Sequence, residues 1–379
     1  MTAPLDSLRA LVAADDALRA ELARQDDPDA FLETATAIGL RHGLTLHADD
    51  LAPLVAPDPL GLMLHEPPPL RCAGWPPPGW LPYRIGPDLD GSPTVDWADF
   101  AGVALDGGFQ AAAVRAALER PINRLLRCRT GFDDFLRGPP EGLRMPDGLV
   151  FHMSRCGSTL VARLLAALPG SYAVNEPDVI DTLLRASLDA PEALRLAVLR
   201  AMLGALGRRQ SARWFLKLSI WPTLNLPLFR QACPGVPWLF LHRDPAAVLA
   251  SNMLQCAPEL DAKITPPALF GLAEGAPVAR EEHAAMALAR LCEAALAEEG
   301  GLFVDHAELP AAFAGTILPH FGIDAAEADP ALLEAIAGRH AKHPDRPYAP
   351  GTATIDPAIR AAADAHLAAI HARLKAVRG

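Results

Sequence analysis

The chain reads as an α/β protein, a parallel sheet covered on both faces by helices, and three observations predict this. From Gly148 onward short apolar runs alternate with segments of helical periodicity, the order that builds a parallel sheet. One of those runs, Leu149–Met153, leads through Ser154-Arg155-Cys156-Gly157-Ser158-Thr159 into an apolar-periodic helix. Strand, small-residue loop and helix together present backbone N–H groups and a helix N-terminus to an anion. Finally, Arg155, Lys217 and Arg243 all fall at the carboxyl ends of expected strands, where ligands of such sheets bind.

Residues 1–56 predict a small helical unit. Leu5, Leu8, Leu11, Val12, Leu18 and Leu22 recur at helical spacing, and Asp26-Asp27-Pro28-Asp29 restarts a helix through Phe31, Ala35 and Ile38 that stops near Gly39 to Gly43. A third short helix, Ala48 to Leu54, ends before Pro57. Residues 57–140 predict a connector. Its first part is rich in proline (Pro57, Pro59, Pro67 to Pro69, Pro76 to Pro78) with Trp75, Trp80 and Tyr83 interleaved, which suits an ordered but irregular segment. A polyproline ligand for another domain is the alternative. Two short helices, Phe109–Glu119 and Thr130–Leu136, follow, and Gly138-Pro139-Pro140-Glu141-Gly142 marks a boundary before the main domain, 141–379.

In that domain the expected strands are Leu149–Met153, Trp214–Leu218, Pro237–His242 and Leu302–Asp305. The expected helices are Ser158–Ala167, Val179–Leu206, Pro222–Ala232, Pro245–Gln255, Val278–Glu299 and a last one over Pro357–Val377. The pairs Glu281-Glu282 and Glu298-Glu299 read as solvated helix faces.

Composition narrows the function classes. With 51% hydrophobic and 21% charged residues over 379 positions, the chain is expected to bury a sizeable core in more than one structural unit. A formal charge of −11 argues against nucleic-acid or anionic-membrane partners. An anionic ligand must then be held by a local cluster of cations. The acidic residues early in the chain leave no signal-peptide pattern, and no run of about twenty apolar residues would span a bilayer, so a cytoplasmic location is expected. The six cysteines (Cys72, Cys128, Cys156, Cys233, Cys256, Cys292) show no CxxC spacing, which fits reduced thiols, and no metal is expected.

The loop at 154–159 is not a Walker A sequence. Anchored on Gly157, that pattern would need glycine at His152 and lysine at Ser158. Its cation is Arg155, ahead of the glycine, so the loop suits an anion other than magnesium-bound ATP. A second strand, Trp238–His242, runs into Arg243-Asp244-Pro245, with Ser251 two turns along the helix that Pro245 opens. Arg243 and Ser251 could grip one phosphate, or Arg243 could simply pair with Asp244.

SRCGST, the LK of RWFLKLS, and HRDPAAVLAS together resemble the sulfotransferases that use 3′-phosphoadenosine 5′-phosphosulfate. In that family a strand–loop–helix of the form [RK]-[SC]-G-[ST]-[ST] holds the 5′-phosphosulfate, and an arginine followed eight positions later by serine holds the 3′-phosphate. Arg155, Cys156, Gly157, Ser158 and Thr159 match the first element, and Arg243 and Ser251 the second. LFVDHAEL, Leu302 to Leu309, is similar to a later strand of the family, although His306 and Ala307 stand where tyrosine and glutamate are usual. The resemblance covers roughly residues 148–321 and implies a three-layer α/β/α, P-loop-type fold. It also implies a donor without metal, because a transferring sulfuryl group carries less charge than a phosphoryl group and can be stabilised by cations and loop amides.

The same resemblance implies roles. Lys217 would neutralise the bridging oxygen of the departing nucleotide; its alternative is a solvated strand-end lysine. Glu176, in Val174-Asn175-Glu176-Pro177-Asp178, would be the base that deprotonates an acceptor hydroxyl, with a pKa raised by partial desolvation. Its alternatives are a helix-start residue or a partner that orders Arg155. His152 and His242, inside strands, read as packing histidines. In Arg339-His340-Ala341-Lys342-His343-Pro344-Asp345-Arg346, Lys342 or Arg346 would meet the 3′-phosphate, or the segment is a solvated basic turn.

Residues 1–56 also resemble nitrogen-fixation-type leader segments of ribosomally made peptide natural products, which would imply a peptide-docking module and a peptide acceptor. Two rivals remain: an ATP-dependent phosphotransferase on the same fold, and a non-catalytic peptide-recognition protein with a vestigial nucleotide site.

Overall fold

Capping chemistry sets where the amino-terminal helices begin. The computed structural model describes residues 3–56, 68–139, 142–209, 211–273, 278–347 and 355–377. The expected helix through Leu22 is in fact two, Ala3–Ala14 and Asp16–Ala23, because Asp15 leaves the helical conformation and its carboxylate accepts the N–H groups of Ala17 and Leu18. Asp27 caps the next helix, Pro28–Arg41, through Ala30 N–H, and Ala48–Val55 follows. Each such cap is worth about 1 kcal/mol.

These helices belong to a compact unit comprising Met1–Ala104, Ala111–Arg144 and Ala201–Gln210. Leu8, Val12, Leu22, Phe31 and Ile38 are buried in it, as the helical spacing requires. Where an irregular connector is expected, the chain instead forms β1 (Leu70–Cys72), β2 (Trp80–Pro87) and β3 (Pro93–Asp99). After β4 (Asp106–Phe109), which joins the other unit, β5 (Cys128–Gly131) completes a four-stranded sheet in the order β1-β5-β3-β2. Prolines 82 and 87 are tolerated because β2 is an edge strand. Pro57, Pro59 and Pro67 lie outside the described residues. The expected helices survive as Gln110–Glu119 and Phe132–Arg137, with Thr130 taken into β5.

Inside this unit Trp75 stacks on Phe135 at 5.4 Å, with Trp97 5.3 Å from Trp75. The buried Arg120 guanidinium donates to Asp26 at 2.7 Å, to Asp99 at 3.1 Å and to the Ala23 carbonyl at 2.5 Å, tying helices to sheet.

The second unit (Leu105–Gln110, Met145–Arg200, Ser211–Gly379) is α/β, built on a six-stranded, all-parallel sheet. Its further strands are β6 (Gly148–His152), β7 (Ser171–Asn175), β8 (Arg213–Lys217), β9 (Trp238–His242) and β10 (Leu302–Asp305), in the order β10-β9-β6-β8-β7-β4. Every residue of β6 and β9 is buried, as expected of parallel strands covered on both faces. The chain runs from β6 to one side of the sheet and reaches β9 on the other. The crevice beyond their carboxyl ends is therefore a topological switch point, where ligands of open α/β sheets bind.

Four of the six strands follow the apolar runs; β4 and β7 do not announce themselves. Gly107 in β4 has φ +78°, and a Cβ there would run into the Ala162 main chain, so glycine lets β4 approach the helix Ser158–Ala166. The expected helix Val179–Leu206 breaks into Asp178–Ala186 and Glu192–Leu206 around Pro191. A 3₁₀ turn, Trp221–Asn225, precedes the helix Leu226–Ala232. The helices Pro245–Leu254 and Arg280–Leu296 hold as expected, and the last segment divides into Pro357–His366 and Ala368–Ala376. Strands β11 (Arg339–His340) and β12 (His343–Pro347) form a small antiparallel hairpin. No helix among the described residues is long and apolar enough to cross a membrane. Glu298 accepts from Arg230 at 2.7 Å, and Glu282, its side chain 45% exposed, lies 3.6 Å from His366.

Candidate functional site

The loop after β6 is held in a conformation that ordinary side chains avoid. Ser154 (φ 72°), Arg155 (φ 51°) and Gly157 (φ 85°) all adopt positive φ. For the two non-glycine residues this costs about 1–3 kcal/mol each and persists only where the surroundings enforce it. The enforcement is visible: Ser154 N–H donates to His152 Nδ1 at 3.0 Å, and Ser154 Oγ donates to Asn252 Oδ1 at 3.3 Å. At Gly157 a Cβ would lie 2.9 Å from Leu309 Cδ1 and 3.2 Å from His306 Cδ2, so the segment after β10 closes over the loop and only glycine fits. The helix Ser158–Ala166 then starts with Ser158 and Thr159 in its first turn, adding roughly half a positive charge at the loop.

Strand register brings the next two residues together. Lys217, at the end of β8, pairs in register with Val150 on β6 and Asn175 on β7. Glu176 follows Asn175, and its N–H donates to the Lys217 carbonyl at 2.7 Å. Its carboxylate accepts a short hydrogen bond from the Lys217 ammonium and lies 3.7 Å from His152 Nε2. Glu176, like the loop residues, has positive φ (52°).

One alternative reading and one expectation fall here. Lys217 is 1% exposed, not a solvated strand-end lysine. Burial alone would raise the Glu176 pKa, but the Lys217 ammonium and His152 outweigh it and hold the carboxyl well below the usual range. Glu176 is also not the partner of Arg155. That guanidinium reaches across to the end of the helix Pro245–Leu254 and donates to the Gln255 carbonyl at 2.9 Å and to Gln255 Oε1 at 2.8 Å. His152 is a packing histidine: Nδ1 accepts from Ser154, so Nε2 carries the proton and donates to the Leu218 carbonyl at 2.9 Å. Burial and then Lys217 push its pKa down to about 4.

Arg243 follows β9 and donates to the Arg155 carbonyl at 3.1 Å, so it braces the loop main chain. Asp244 is not its partner; that carboxylate caps the helix through Ala247 N–H at 2.8 Å. Ser251 sits half-buried on the same helix, its carbonyl accepting Gln255 N–H. The Cys156 thiol turns inward to the Leu241 carbonyl, and burial pushes its pKa up to about 12, so Cys156 can offer a ligand only its main-chain N–H. His242 is buried beside Asp305 and His371.

Of the basic C-terminal segment, Lys342 belongs to this cluster and Arg346 does not. The Lys342 ammonium lies 5.1 Å from the Phe109 ring centroid, and its pKa is pushed down to about 8 by burial first, then by the charges of Arg155 and Lys217. Arg163, on the loop helix, holds this turn in place by donating to the Ala341 carbonyl at 2.7 Å and to Asp106 at 2.9 Å. Arg346 is exposed, 3.7 Å from Asp345.

Sequence reasoning did not find the acidic residues near Glu176. Asp181 accepts both of its 2.8 Å contacts from Ser219 Oγ. Burial pushes its pKa up to about 7 against that hydrogen bond, helped by the charges of Glu259 and Glu176. Burial likewise raises Glu259. Nor was Gln255 or Arg163 foreseen; each acts through a contact about a hundred or more positions away in sequence, and no local pattern encodes it. The arrangement is thus polar in the electrical sense, with cations and a helix N-terminus at the loop and carboxyl groups beyond Glu176. No protein-family model matches the chain, and no curated protein matches it.

Proposed function

We propose that the chain transfers a sulfuryl group from 3′-phosphoadenosine 5′-phosphosulfate to an acceptor hydroxyl on a P-loop-type, three-layer α/β/α domain, without Mg²⁺. The observation that carries the reading is the pair of buried Lys217 and half-buried Glu176 next to a strained loop at the sheet's switch point. The donor set suits a polyanion: loop N–H groups, the first turn at Ser158 and Thr159, and the cations Arg155, Lys217 and Lys342. Arg243 and Ser251 would take the 3′-phosphate.

Lys217 has two possible anionic partners, Glu176 and the bound donor. When its ammonium turns to the oxygen that bridges sulfur and phosphate, Glu176 loses the charge that depresses its pKa. The carboxylate becomes a stronger base only once the donor is in place. Glu176 then takes the acceptor proton, the acceptor oxygen forms the new bond to sulfur, and the bond from sulfur to the bridging oxygen breaks. Lys217 and Arg155 stabilise the charge left on the nucleotide.

The test is Glu176→Gln. Removing the carboxylate leaves the Lys217 ammonium buried without its partner, an effect of about 3–5 kcal/mol on stability. Adenosine 3′,5′-bisphosphate should bind this variant at least as tightly as the parent protein, while sulfuryl transfer is lost. Transfer at the parent rate would remove the base assignment. Thermal stabilisation by magnesium-ATP exceeding that by adenosine 3′,5′-bisphosphate would favour phosphoryl transfer instead. A peptide acceptor would have to be recognised without Leu8, Val12, Phe31 and Ile38 of the leader-like segment, which are spent on packing within their own unit.

A further inference from the structure

On the sheet edge beside the anion loop, three groups that can bind a metal converge. His242 ends β9 and Asp305 ends β10, and the parallel register places the two residues side by side. The helix Ala368–Ala376 brings in His371, whose ring lies 5.5 Å from that of His242, inclined at 76°. One ligating atom from each residue lies within 4.8 Å of the others, and His242 Nδ1 stands 4.0 Å from Asp305 Oδ2. His242 is 2% exposed. Its Nδ1 and the Nε2 of His371 are both buried, and neither has a hydrogen-bond partner among the described residues. Two unsatisfied, buried ring nitrogens on histidines clustered with one carboxylate are an unfavourable way to build a core, and a cation held by the three residues would use donors that otherwise go unpaired.

We propose that His242, Asp305 and His371 bind a divalent transition-metal ion, with Zn²⁺ the best match. Two imidazoles and one carboxylate exclude the oxygen-seeking Mg²⁺ and Ca²⁺ and suit Zn²⁺, with a water completing a tetrahedron. Ligand atoms around such an ion lie about 3.3 Å apart, so the side chains close by roughly 1 Å. Asp305 is prepared for this: one carboxylate oxygen caps the turn at Ala307, and the other faces His242. Lys375, one helical turn beyond His371, lies 3.8 Å from that second oxygen and competes for it. Its side chain is 58% exposed and can swing to solvent. The ion would clip the C-terminal helix to the ends of two strands, just before Arg243 and His306, and so acts as a staple behind the anion site rather than in the reaction.

The experiment uses the tag-free full chain, stripped with a chelator and dialysed, titrated with Zn²⁺ by calorimetry and with Co²⁺ by visible absorption. One equivalent of Zn²⁺ should bind, raise the melting temperature, and give a tetrahedral spectrum with Co²⁺. His371→Ala should weaken binding by at least about a hundredfold, beyond what loss of an outer hydrogen-bond partner of a ligand costs. Lys375→Met should tighten it, a readout that does not depend on His371→Ala remaining folded. The other paired histidines, His340 and His343, have rings 5.1 Å apart on the hairpin. If His343→Ala removes the binding, or if both His371→Ala and Lys375→Met leave it unchanged, the proposal is overturned.

Discussion

Asp181 offers a residue-scale test that does not depend on any ligand. Its pKa rises from the ordinary carboxylate range to about 7 because burial disfavours the charged form. Between those two values the folded protein keeps a proton that the unfolded chain has released. Stability therefore falls as pH rises through that window and levels off above it. Asp181→Asn removes the titration and keeps an oxygen to accept from Ser219. It should melt at a higher temperature than the parent at pH 8 and show no advantage near pH 4; an advantage independent of pH would mean that burial of Asp181 is not its cause. His152 works with the opposite slope: with its pKa pushed down to about 4, its contribution is complete above the ordinary histidine value and is lost as pH falls towards 4. At this scale the sequence revealed which residue types sit at the strand ends but not their protonation. The expected rise in the Glu176 pKa became a fall because Lys217, forty-one positions away, occupies the carboxylate. Desolvation and charge pairing oppose each other, and only the contact shows which wins.

At the scale of elements the strained loop is the feature to disturb. Gly157→Ala adds a methyl that meets Leu309 and His306 at a φ of +85°, both a steric clash and a backbone penalty. It should lower stability by about 1–3 kcal/mol and abolish adenosine 3′,5′-bisphosphate binding. Retained affinity would show that the loop is not the anion site. Arg120→Ala probes the other unit, where one guanidinium joins Asp26, Asp99 and the Ala23 carbonyl. Leaving the buried Asp99 without its partner should cost about 3–5 kcal/mol in chemical denaturation. Strands β6, β8, β9 and β10 were legible because apolar runs bounded by turn signals end at them. β4 (Asp-Gly-Gly-Phe) was not legible, having no apolar run; it is a strand because β7 offers it an edge and Gly107 allows the approach. In β2 the prolines mask strand character, which edge position makes tolerable.

For the whole molecule, the site is assembled from segments far apart in the chain, all in the unit built on the parallel sheet. Adenosine 3′,5′-bisphosphate should therefore slow amide exchange in 153–159, 243–251 and 341–343 together, against little change in β1–β3 and β5. Protection confined to one of these segments, or found mainly in the other unit, would count against a single composite site. Arg163 makes a specific link in this picture, because its bond to the Ala341 carbonyl carries Lys342 to the loop. Arg163→Ala should weaken nucleotide binding in equilibrium titration without altering the loop itself.

By itself the sequence determined the α/β class, the loop and its glycine, the end-of-strand placement of Arg155, Lys217 and Arg243, and the helix starts at Pro28, Pro245 and Pro357. All of these are local: a periodicity, a cap or a residue type at a fixed offset is written in neighbouring positions. Only the tertiary structure decided that Lys217 holds Glu176, that Lys342 and not Arg346 joins the cluster, that Cys156 faces the core, and that His242, Asp305 and His371 meet. Those outcomes rest on strand order and register, which bring together residues separated by tens to hundreds of positions, and on burial, which sets the charge state each can hold.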